Sequence, residues 1–201
     1  MGAVQVPACS GSVLSQLMDL VVLWNRRIDL TAARSPEELV DLYVADAALL
    51  SVCTAPAEAA GTPTRWADVG SGGGAPGLGM AAMRGDLRLT LVEPRAKRVA
   101  FLRTALAIVG RTDVELRRAR SEQLDDRQWE VACSRATLPP VQWLQEGARL
   151  ATQAVWVLLA RGEPPALGGW RIDLDVRYPW PLTGVSRRAV RFVPETRGGK
   201  A

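Results

Sequence analysis

Apolar positions in the first fifty residues recur at the spacing of amphipathic helices. Over residues 11–24 one helical face carries Val13, Leu17, Leu20, Val21 and Trp24. A second helix is predicted to begin after Ser35, because this residue is a good N-cap, Pro36 takes the first helical position and Glu38 completes a capping box. Two helices are therefore predicted ahead of a loop at residues 54–64 that is rich in Ala, Gly, Pro and Thr.

The apolar stripe of the second predicted helix contains one carboxylate. Its apolar members are Leu39, Leu42, Tyr43, Leu49 and Leu50, and Asp46 lies on the same stripe. A buried carboxylate must be hydrogen-bonded or face a cavity, because an unpaired charge is costly to bury. Asp46 is therefore a candidate functional residue, and the alternative is a helix rotated far enough to leave it in solvent.

From residue 65 onward short apolar runs alternate with helical patterns, which is typical of a parallel sheet covered by helices. Strands are predicted at 65–69, 88–93, 114–116, 129–133 and 153–160, and helices at about 77–84, 94–109 and 139–150. After Gly162 two further strands, 171–178 and 187–193, follow without a helix between them. The predicted fold class is therefore α/β, a Rossmann-like class I methyltransferase fold with a mostly parallel sheet and an antiparallel C-terminal pair.

The 201 residues are enough to bury a substantial core, and their composition, 48% hydrophobic and 23% charged, is that of a globular protein. We expect residues 1–60 to form an N-terminal helical extension packed on the core and residues 61–201 to form the methyltransferase domain, as one structural unit with a loose tail at 195–201. No apolar run approaches the roughly 20 residues that cross a bilayer, and no signal peptide is recognisable. We therefore expect a cytoplasmic protein without membrane contact. We also expect a monomer.

Histidine is absent, which restricts the chemistry. Its absence excludes Ser-His-Asp and Cys-His catalysis and nearly all common metal sites. The three cysteines, Cys9, Cys53 and Cys133, are spaced for neither a disulfide framework nor a zinc site. We therefore expect no metal, and chemistry that depends on carboxylates, hydroxyls, arginines or a bound organic cofactor.

The net charge is +4, and all but two of the 25 basic residues are arginine. The planar guanidinium group suits phosphates and base edges, so a polyanionic partner is one explanation of this bias. Genomic base composition explains it equally well, and this observation alone leaves both open.

A glycine-rich loop, Gly70-Ser71-Gly72-Gly73-Gly74, follows the first strand of the predicted sheet. A loop of this kind turns sharply and approaches a ligand closely, and the N–H groups at the following helix favour an anion. That anion is a pyrophosphate in dinucleotide enzymes and the carboxylate of S-adenosylmethionine in methyltransferases. Ala75 stands where a dinucleotide motif has its third glycine, and alanine is allowed there, so the loop alone does not decide between the two cofactors.

Two acids flank the loop and favour S-adenosylmethionine. Asp68 ends the first strand and suits both the organisation of the loop and the methionine ammonium, a cation that NAD lacks there. Glu93 ends the second strand, about 20 residues beyond the glycines, where an acid binds both ribose hydroxyls. The alternatives are a structural role for Asp68 and a capping role for Glu93 at the helix that Pro94 begins.

Polar residues also follow the third and fourth strands. Arg120, Ser121 and Glu122 follow the third strand, where they would meet the adenine. Arg135 follows the fourth, at the edge where substrates bind in open α/β sheets. Solvated surface charge is the alternative for either arginine.

Together these segments resemble the bacterial small-subunit ribosomal RNA guanine-N7 methyltransferases, called RsmG or glucose-inhibited division protein B. The matching segments lie within residues 21–162, with a weaker match near Arg187, and are Leu23-Trp24-Asn25, Asp29-Leu30-Thr31, Asp46, residues 68–77, Lys97-Arg98-Val99, Phe101-Leu102, Arg120-Ser121-Glu122 and Ser134-Arg135-Ala136. The resemblance implies cofactor contacts at Gly70, Ala75, Ser121, Glu122 and Arg135, and a substrate or cofactor role for Arg120. It also implies methyl transfer from S-adenosylmethionine to N7 of a guanine in 16S ribosomal RNA, free or within the small ribosomal subunit.

The chain departs from the family pattern at two places. The family has an Arg-His pair before the aspartate matched by Asp46, where this chain has Leu42-Tyr43. The family's Leu-Lys-Gly after the fifth strand is here Leu159-Ala160-Arg161-Gly162, and arginine keeps the charge of lysine but not its compact geometry. Both changes concern the target nucleotide more than the cofactor.

Methylation at guanine N7 agrees with the absence of histidine, because N7 carries a lone pair and no proton and needs no general base. We assign catalytic roles to Asp46, Arg135 and Arg161, and substrate binding to Arg120, Arg161 and Arg187. Two alternatives remain. One is a non-catalytic RNA- or ribosome-binding relative that retains the cofactor fold. The other is a nicotinamide oxidoreductase, which Asp68 and the antiparallel end of the sheet disfavour.

Overall fold

The computed structural model describes residues 10–54 and 64–195. The N-terminal helices are α1 (Ser10–Asn25), α2 (Pro36–Val40) and α3 (Asp46–Val52), and a π-helical turn (Asp41–Ala45) joins α2 to α3. The strands are β1 (Arg65–Val69), β2 (Arg88–Val92), β3 (Glu115–Arg117), β4 (Trp129–Arg135), β5 (Ala151–Leu159), β6 (Trp170–Pro179) and β7 (Ser186–Pro194). Helices α4 (Gly77–Met83), α5 (Ala96–Val109) and α6 (Pro140–Leu150) link parallel strands, and a short 3-10 turn (Ser121–Gln123) follows β3.

The seven strands form one sheet in the order β3-β2-β1-β4-β5-β7-β6. Strands β1 to β5 are parallel, and β7 pairs antiparallel with both β5 and β6. The predicted α/β fold with an antiparallel C-terminal pair is therefore confirmed. Val69 lies beside Val92 and Asp68 beside Cys133, so the carboxyl ends of β1, β2 and β4 meet at one edge of the sheet.

Buried apolar side chains cover both faces of the sheet. On one face Leu17 of α1 and Phe101 of α5 belong to the same cluster as Leu91 of β2. On the other face Trp143 of α6 packs in a cluster with Val155 of β5. Helix α1 is therefore part of the main core, which fixes the loop that follows it against the edge of the sheet.

Local signals account for the helix boundaries. The Oγ of Ser35 accepts the N–H of Glu38 at 3.1 Å, which is the bond of the predicted N-cap. Gly110 ends α5 with a φ of 71°, as a glycine after a helix commonly does. Apolar spacing does not predict the π-helical turn, because that turn adds one residue without changing the apolar composition.

Two remaining expectations concern the ends of the chain and membranes. Residues 196–201 of the predicted tail lie outside the described residues. Over residues 10–54 and 64–195, no helix combines the length and the apolarity that a bilayer crossing requires.

Candidate cofactor and substrate site

A cavity of about 630 Å³ opens at the edge where β1, β2 and β4 end. Its walls include the glycine loop, residues 30–33, 93–95 and 135–137, Trp180, Val185 and Arg187. The loop between α1 and α2, the ends of three parallel strands and the turn between β6 and β7 therefore surround one space.

The glycine loop presents its backbone to this cavity. Gly70 has a φ of 74°, and the side chain of Thr137 lies where its Cβ would be. A Cβ at Gly73 would lie 2.8 Å from the carbonyl oxygen of Leu30, closer than real Cβ atoms approach. Within the described part of the chain, the backbone N–H groups of Gly73 and Ala75 have no hydrogen-bond acceptor, and both residues line the cavity. These two N–H groups are available to an anionic ligand.

Asp68 lies beneath the glycine loop and is fully buried. Its Oδ2 accepts the N–H of Gly77 at 3.1 Å, and the Sγ of Cys133 is 4.0 Å from its Oδ1. Burial raises the pKa of Asp68 to about 7, although the hydrogen bond from Gly77 opposes the rise. These are the contacts of a residue that organises the loop, while a contact with a methionine ammonium stays a prediction.

Glu93 is buried at the cavity wall, where its carboxylate binds two backbone N–H groups. Oε2 accepts from Gly72 at 2.9 Å and Oε1 accepts from Arg95 at 2.8 Å. The first bond ties the glycine loop to the end of β2, and the second shapes the entry to α5. Each carboxylate oxygen keeps a further lone pair, so Glu93 can also accept hydroxyl donors.

Asn25 shapes the wall between α1 and α2. Its Oδ1 accepts the N–H groups of Leu30 and Thr31 at 2.8 and 3.0 Å, and its Nδ2 donates to the carbonyl of Thr31 at 3.2 Å. Arg98 of α5 donates from Nη2 to the carbonyl of Asp29 at 2.6 Å. These bonds give a physical reason for the Trp-Asn and Leu-Thr segments, because they hold the loop at residues 29–33 against the glycine loop.

Tyr43, which stands where the family has a histidine, supports the same loop from below. Its side chain is fully buried, and its hydroxyl donates to the carbonyl of Gly73. Burial raises the pKa of Tyr43, so the hydroxyl remains a donor. The tyrosine therefore has a packing and hydrogen-bonding role at the cavity wall.

Asp46 is 1% exposed, which excludes the rotated helix that would leave it in solvent. Its Oδ1 accepts the hydroxyl of Tyr178 at 2.8 Å and the indole N–H of Trp180 at 2.9 Å. Its Oδ2 is 3.1 Å from the Nε of Arg135. Burial lowers the pKa of Arg135 and the charge of Asp46 opposes this. The carboxylate is thus occupied by three donors and orients the arginine at the end of β4.

A second cavity of about 250 Å³ shares a wall with the first. Arg135, Ala136 and Arg187 line both cavities, and Arg161 lines the second. The guanidinium of Arg187 is 3.9 Å from the centre of the Trp180 ring. Among the residues described, no partner binds the buried Nε of Arg187. Ala136 has a φ of 53°, a conformation that costs energy in a residue other than glycine, and residues strained in this way cluster at functional sites.

The structure brings most of the predicted site residues to these cavities. Gly70, Gly72, Ala75, Glu93, Arg135 and Arg187 line the larger one, and Asp46, Arg135, Arg161 and Arg187 line the smaller one. Asp68 and Gly74 do not line either cavity.

The residues after β3 lie apart from both cavities. Arg120, Ser121 and Glu122 are absent from the walls of either one. The backbone N–H of Arg120 donates to the side chain of Gln123 at 2.8 Å, and the carbonyl of Ser121 accepts from Arg149 at 2.9 Å. Their predicted contact with an adenine stays a prediction.

The wall residues that were not candidates from sequence include four with polar or aromatic side chains: Tyr43, Arg98, Thr137 and Trp180. Arg98 lies inside a segment that matches the family, and Thr137 directly follows another such segment. The sequence match could therefore have identified both as site residues. Trp180 carried no such signal, because its place depends on the β6–β7 hairpin folding back across the sheet edge.

The sequence is similar to those of known ribosomal RNA methyltransferases. A family model described as rRNA small subunit methyltransferase G matches residues 11–166. A relative named ribosomal RNA small subunit methyltransferase G from Anaeromyxobacter dehalogenans is 29% identical, over 93% of this chain and 90% of its own length. One with the same name from Rhizorhabdus wittichii is 34% identical, over 81% and 73%. A third, from Halorhodospira halophila, is 38% identical, and the match spans only 57% of its length.

Solved structures share the fold at low sequence identity. A SAM-dependent methyltransferase from Aquifex aeolicus is 16% identical with a TM-score of 0.56, over 80% of this chain and 94% of that one. An RNA methyltransferase from Salinibacter ruber, solved with S-adenosyl-L-homocysteine, is 23% identical with a TM-score of 0.50, over 70% and 88%. These similarities support the fold alone.

Proposed function

The chain belongs to the family of rRNA small subunit methyltransferase G, and we propose that it transfers a methyl group from S-adenosylmethionine to N7 of a guanine in 16S ribosomal RNA. One observation carries the proposal. A single cavity joins a glycine cradle and a buried acid at the ends of β1 and β2 to arginines in β4 and β7. The relatives are named ribosomal RNA small subunit methyltransferases, which supports the ribosomal RNA substrate, and the resemblance in sequence supports guanine N7 as the acceptor.

The first half of the cavity suits the cofactor. The N–H groups of Gly73 and Ala75 would bind its carboxylate, since N–H groups before a helix favour anions. Glu93 would accept the ribose hydroxyls with the lone pairs that its two backbone bonds leave free. When bound, S-adenosylmethionine supplies an electrophilic methyl group on a sulfonium sulfur.

The other half of this cavity and the smaller cavity beside it suit the acceptor. Arg135, Arg161 and Arg187 present guanidinium donors that match phosphate oxygens or the O6 atom of guanine. Guanine N7 already carries its lone pair, so no residue has to remove a proton. The task of these side chains is therefore to orient the base, and orientation of this kind can lower a barrier by roughly 7–11 kcal/mol.

Asp46 has a positioning role in this account. Its two oxygens are occupied by Tyr178, Trp180 and Arg135, so it holds the wall of both cavities in place. Its negative charge also offsets the charge of Arg135, beside which the methylated base would become cationic. We expect the partner to be ribosomal RNA or the small ribosomal subunit, the enzyme to act as a monomer, and its place to be the cytoplasm, where ribosomes are.

The proposal is tested by incubating the protein with labelled S-adenosylmethionine and either 16S RNA or small ribosomal subunits from cells that lack this activity. Digestion to nucleosides should place the label on 7-methylguanosine in at least one substrate. Label on adenosine or on protein would contradict the assignment. Cofactor binding without any transfer to either substrate would favour the non-catalytic RNA-binding relative instead.

A further inference from the structure

Two buried carboxylates lie five residues apart, Asp41 at the first residue of the π-helical turn and Asp46 directly after its last, and both face the β6–β7 hairpin. In a regular α-helix, residues five apart point in directions about 140° apart, because the helix has 3.6 residues per turn. The extra residue of the π turn brings Asp41 and Asp46 to nearly the same face. Each is 1% exposed, and each accepts hydrogen bonds from the hairpin.

Asp41 holds the turn of that hairpin. Its Oδ1 accepts the N–H of Leu182 at 3.1 Å, and its Oδ2 accepts the N–H and the hydroxyl of Thr183 at 2.9 and 2.8 Å. The turn is itself closed by backbone bonds between Trp180 and Val185 and between Gly184 and Trp180, both at 2.9 Å. Because the turn is a closed unit, fixing its tip fixes both of its ends.

The ends of the turn are cavity walls. Trp180 and Val185 line the larger cavity, and Arg187 lines both cavities. Arg187 stacks on the Trp180 ring at 3.9 Å, and none of the ion pairs among the described residues includes it. The Nη1 of Arg187 also donates to the carbonyl of Ser186 at 3.2 Å, so the guanidinium is held by the ring beneath it and by the start of β7. Asp46 holds the indole N–H of that ring, and the backbone of Trp180 belongs to the turn.

This wall lies on the acceptor side of the site. The glycine loop follows β1, and β7 lies three strands away in the sheet, which is about 14 Å at the usual strand spacing. Glu93 follows β2, one strand further in the opposite direction. A cofactor held by the loop and Glu93 therefore lies away from the hairpin.

We propose that Asp41 is a positioning residue for the RNA substrate, which acts by fixing the β6–β7 turn and thereby Trp180 and Arg187. The inference rests on the proposed function, since it names a determinant of substrate binding in the same site. Asp41 reaches no cavity itself. Its effect on methyl transfer has to pass through the turn.

The test compares Asp41→Asn with Asp173→Asn in steady-state methyl transfer to ribosomal RNA. An amide can accept at one oxygen only and turns a donor toward the Leu182 or Thr183 N–H groups, so the turn loses its anchor. We expect a KM for RNA about tenfold higher, with kcat and the Kd of the cofactor unchanged within about twofold. Asp173 pairs with Arg191 in the same hairpin, near the far end of β6, and its substitution controls for general loosening.

A double-mutant cycle separates positioning from bulk stability. If Asp41 acts through Arg187, Asp41→Asn adds little further cost in an Arg187→Ala background. Additive losses, an equal weakening of cofactor binding, or the same KM increase in Asp173→Asn would overturn the proposal. If Asp41→Asn does not fold, Thr183→Ala removes one of the same bonds and should raise the KM about twofold to threefold. If the proposed function itself is wrong, the wild-type protein transfers no methyl group to RNA. That result is distinct from every outcome that overturns the role of Asp41.

Discussion

Single residues at this site act mainly on the backbone. Glu93 joins the glycine loop to the end of β2, Asp68 joins β1 to the start of α4, and Tyr43 supports the loop from below. Gly73 is small because the carbonyl of Leu30 passes directly over it. The polar side chains therefore fix the shape of the peptide backbone, and that backbone supplies the donors for an anion.

The first prediction concerns this close approach. Gly73→Ala places a methyl group 2.8 Å from the Leu30 carbonyl and 2.9 Å from the Tyr43 hydroxyl, so the loop has to shift. We expect the affinity for S-adenosylmethionine to fall at least about tenfold in calorimetric titration, because the N–H groups move with the loop. Gly85→Ala is the matched control, since a Cβ there meets nothing within 4 Å. Equal affinities in the two variants would contradict the role of the loop.

A second prediction follows from the buried carboxyl group of Asp68. Burial raises the pKa of Asp68 from 3.8 to about 7. Between these two pH values the carboxyl group is ionised in the unfolded chain and protonated in the folded one. The contribution of Asp68 to stability is therefore full at low pH and is lost as the pH rises toward about 7. Asn at this position cannot ionise, so we expect the stability of Asp68→Asn relative to wild type to increase with pH.

The difference in the free energy of unfolding between Asp68→Asn and wild type should change with pH by an amount that urea unfolding can measure. A pKa raised by about three corresponds to about 4 kcal/mol in the free energy of unfolding. Urea unfolding of both proteins at about pH 4 and about pH 8 measures it. A difference between the two proteins that stays constant across this range would show that Asp68 titrates normally.

At the scale of elements, the site depends on loops that distant segments hold. The loop between α1 and α2 is held by Asn25 from its own side and by Arg98 from α5. The β6–β7 turn is held by Asp41 from the π-helical turn. Both of these loops line the larger cavity, and a few polar bonds fix each of them to a helical segment.

Substitution of Asn25 tests the first of these loops. Asn25→Ala removes two acceptor bonds and one donor bond, and we expect the free energy of unfolding to fall by about 2 kcal/mol and cofactor affinity to fall with it. Asn25→Asp keeps both acceptor bonds and loses only the bond to the Thr31 carbonyl, so it should lie between alanine and wild type. Urea unfolding and cofactor titration measure the two effects. If the aspartate variant were as impaired as the alanine variant, the two N–H bonds would not be what holds the loop.

The elements themselves could largely be predicted from sequence, whereas the contacts between remote elements could not. Strand and helix alternation, the Ser35 cap and the glycine after α5 are local signals, and they predicted the sheet and the place of the cofactor loop. The bond between Asp46 and Trp180 joins residues 134 positions apart, and the Asp41 bonds to the turn span a similar distance. No local pattern encodes such contacts, so sequence reasoning marked Asp46 as unusual without identifying its partners.

On the scale of the whole molecule, many arginines are used within the fold. Ion pairs with carboxylates are formed by Arg65, Arg84, Arg111, Arg117, Arg149, Arg188 and Arg191. Arg161 and Arg187 are different, because no carboxylate among the described residues pairs with them and both line the smaller cavity. The free positive charge at this edge of the sheet matches a polyanionic partner.

The salt dependence of RNA binding tests whether the arginines without ion pairs at the smaller cavity contact RNA, and the ion-paired arginines do not. Arg161→Ala should reduce the slope of log K against log salt concentration by about 1, as expected when one phosphate contact is lost. Arg65→Ala is the control, because Arg65 pairs with Glu130 at the opposite end of β1 and its loss should leave the slope unchanged. Equal slopes in wild type and both variants would place the RNA elsewhere on the surface.

The most direct test of the whole account is a crystal structure of the protein with S-adenosylhomocysteine, the demethylated product of the cofactor. We expect its carboxylate at the N–H groups of Gly73 and Ala75, its ribose hydroxyls at Glu93, and its sulfur directed toward Arg135 and the second cavity. A ligand bound outside this cavity, or one lying in it with the ribose at the β6–β7 turn, would contradict it.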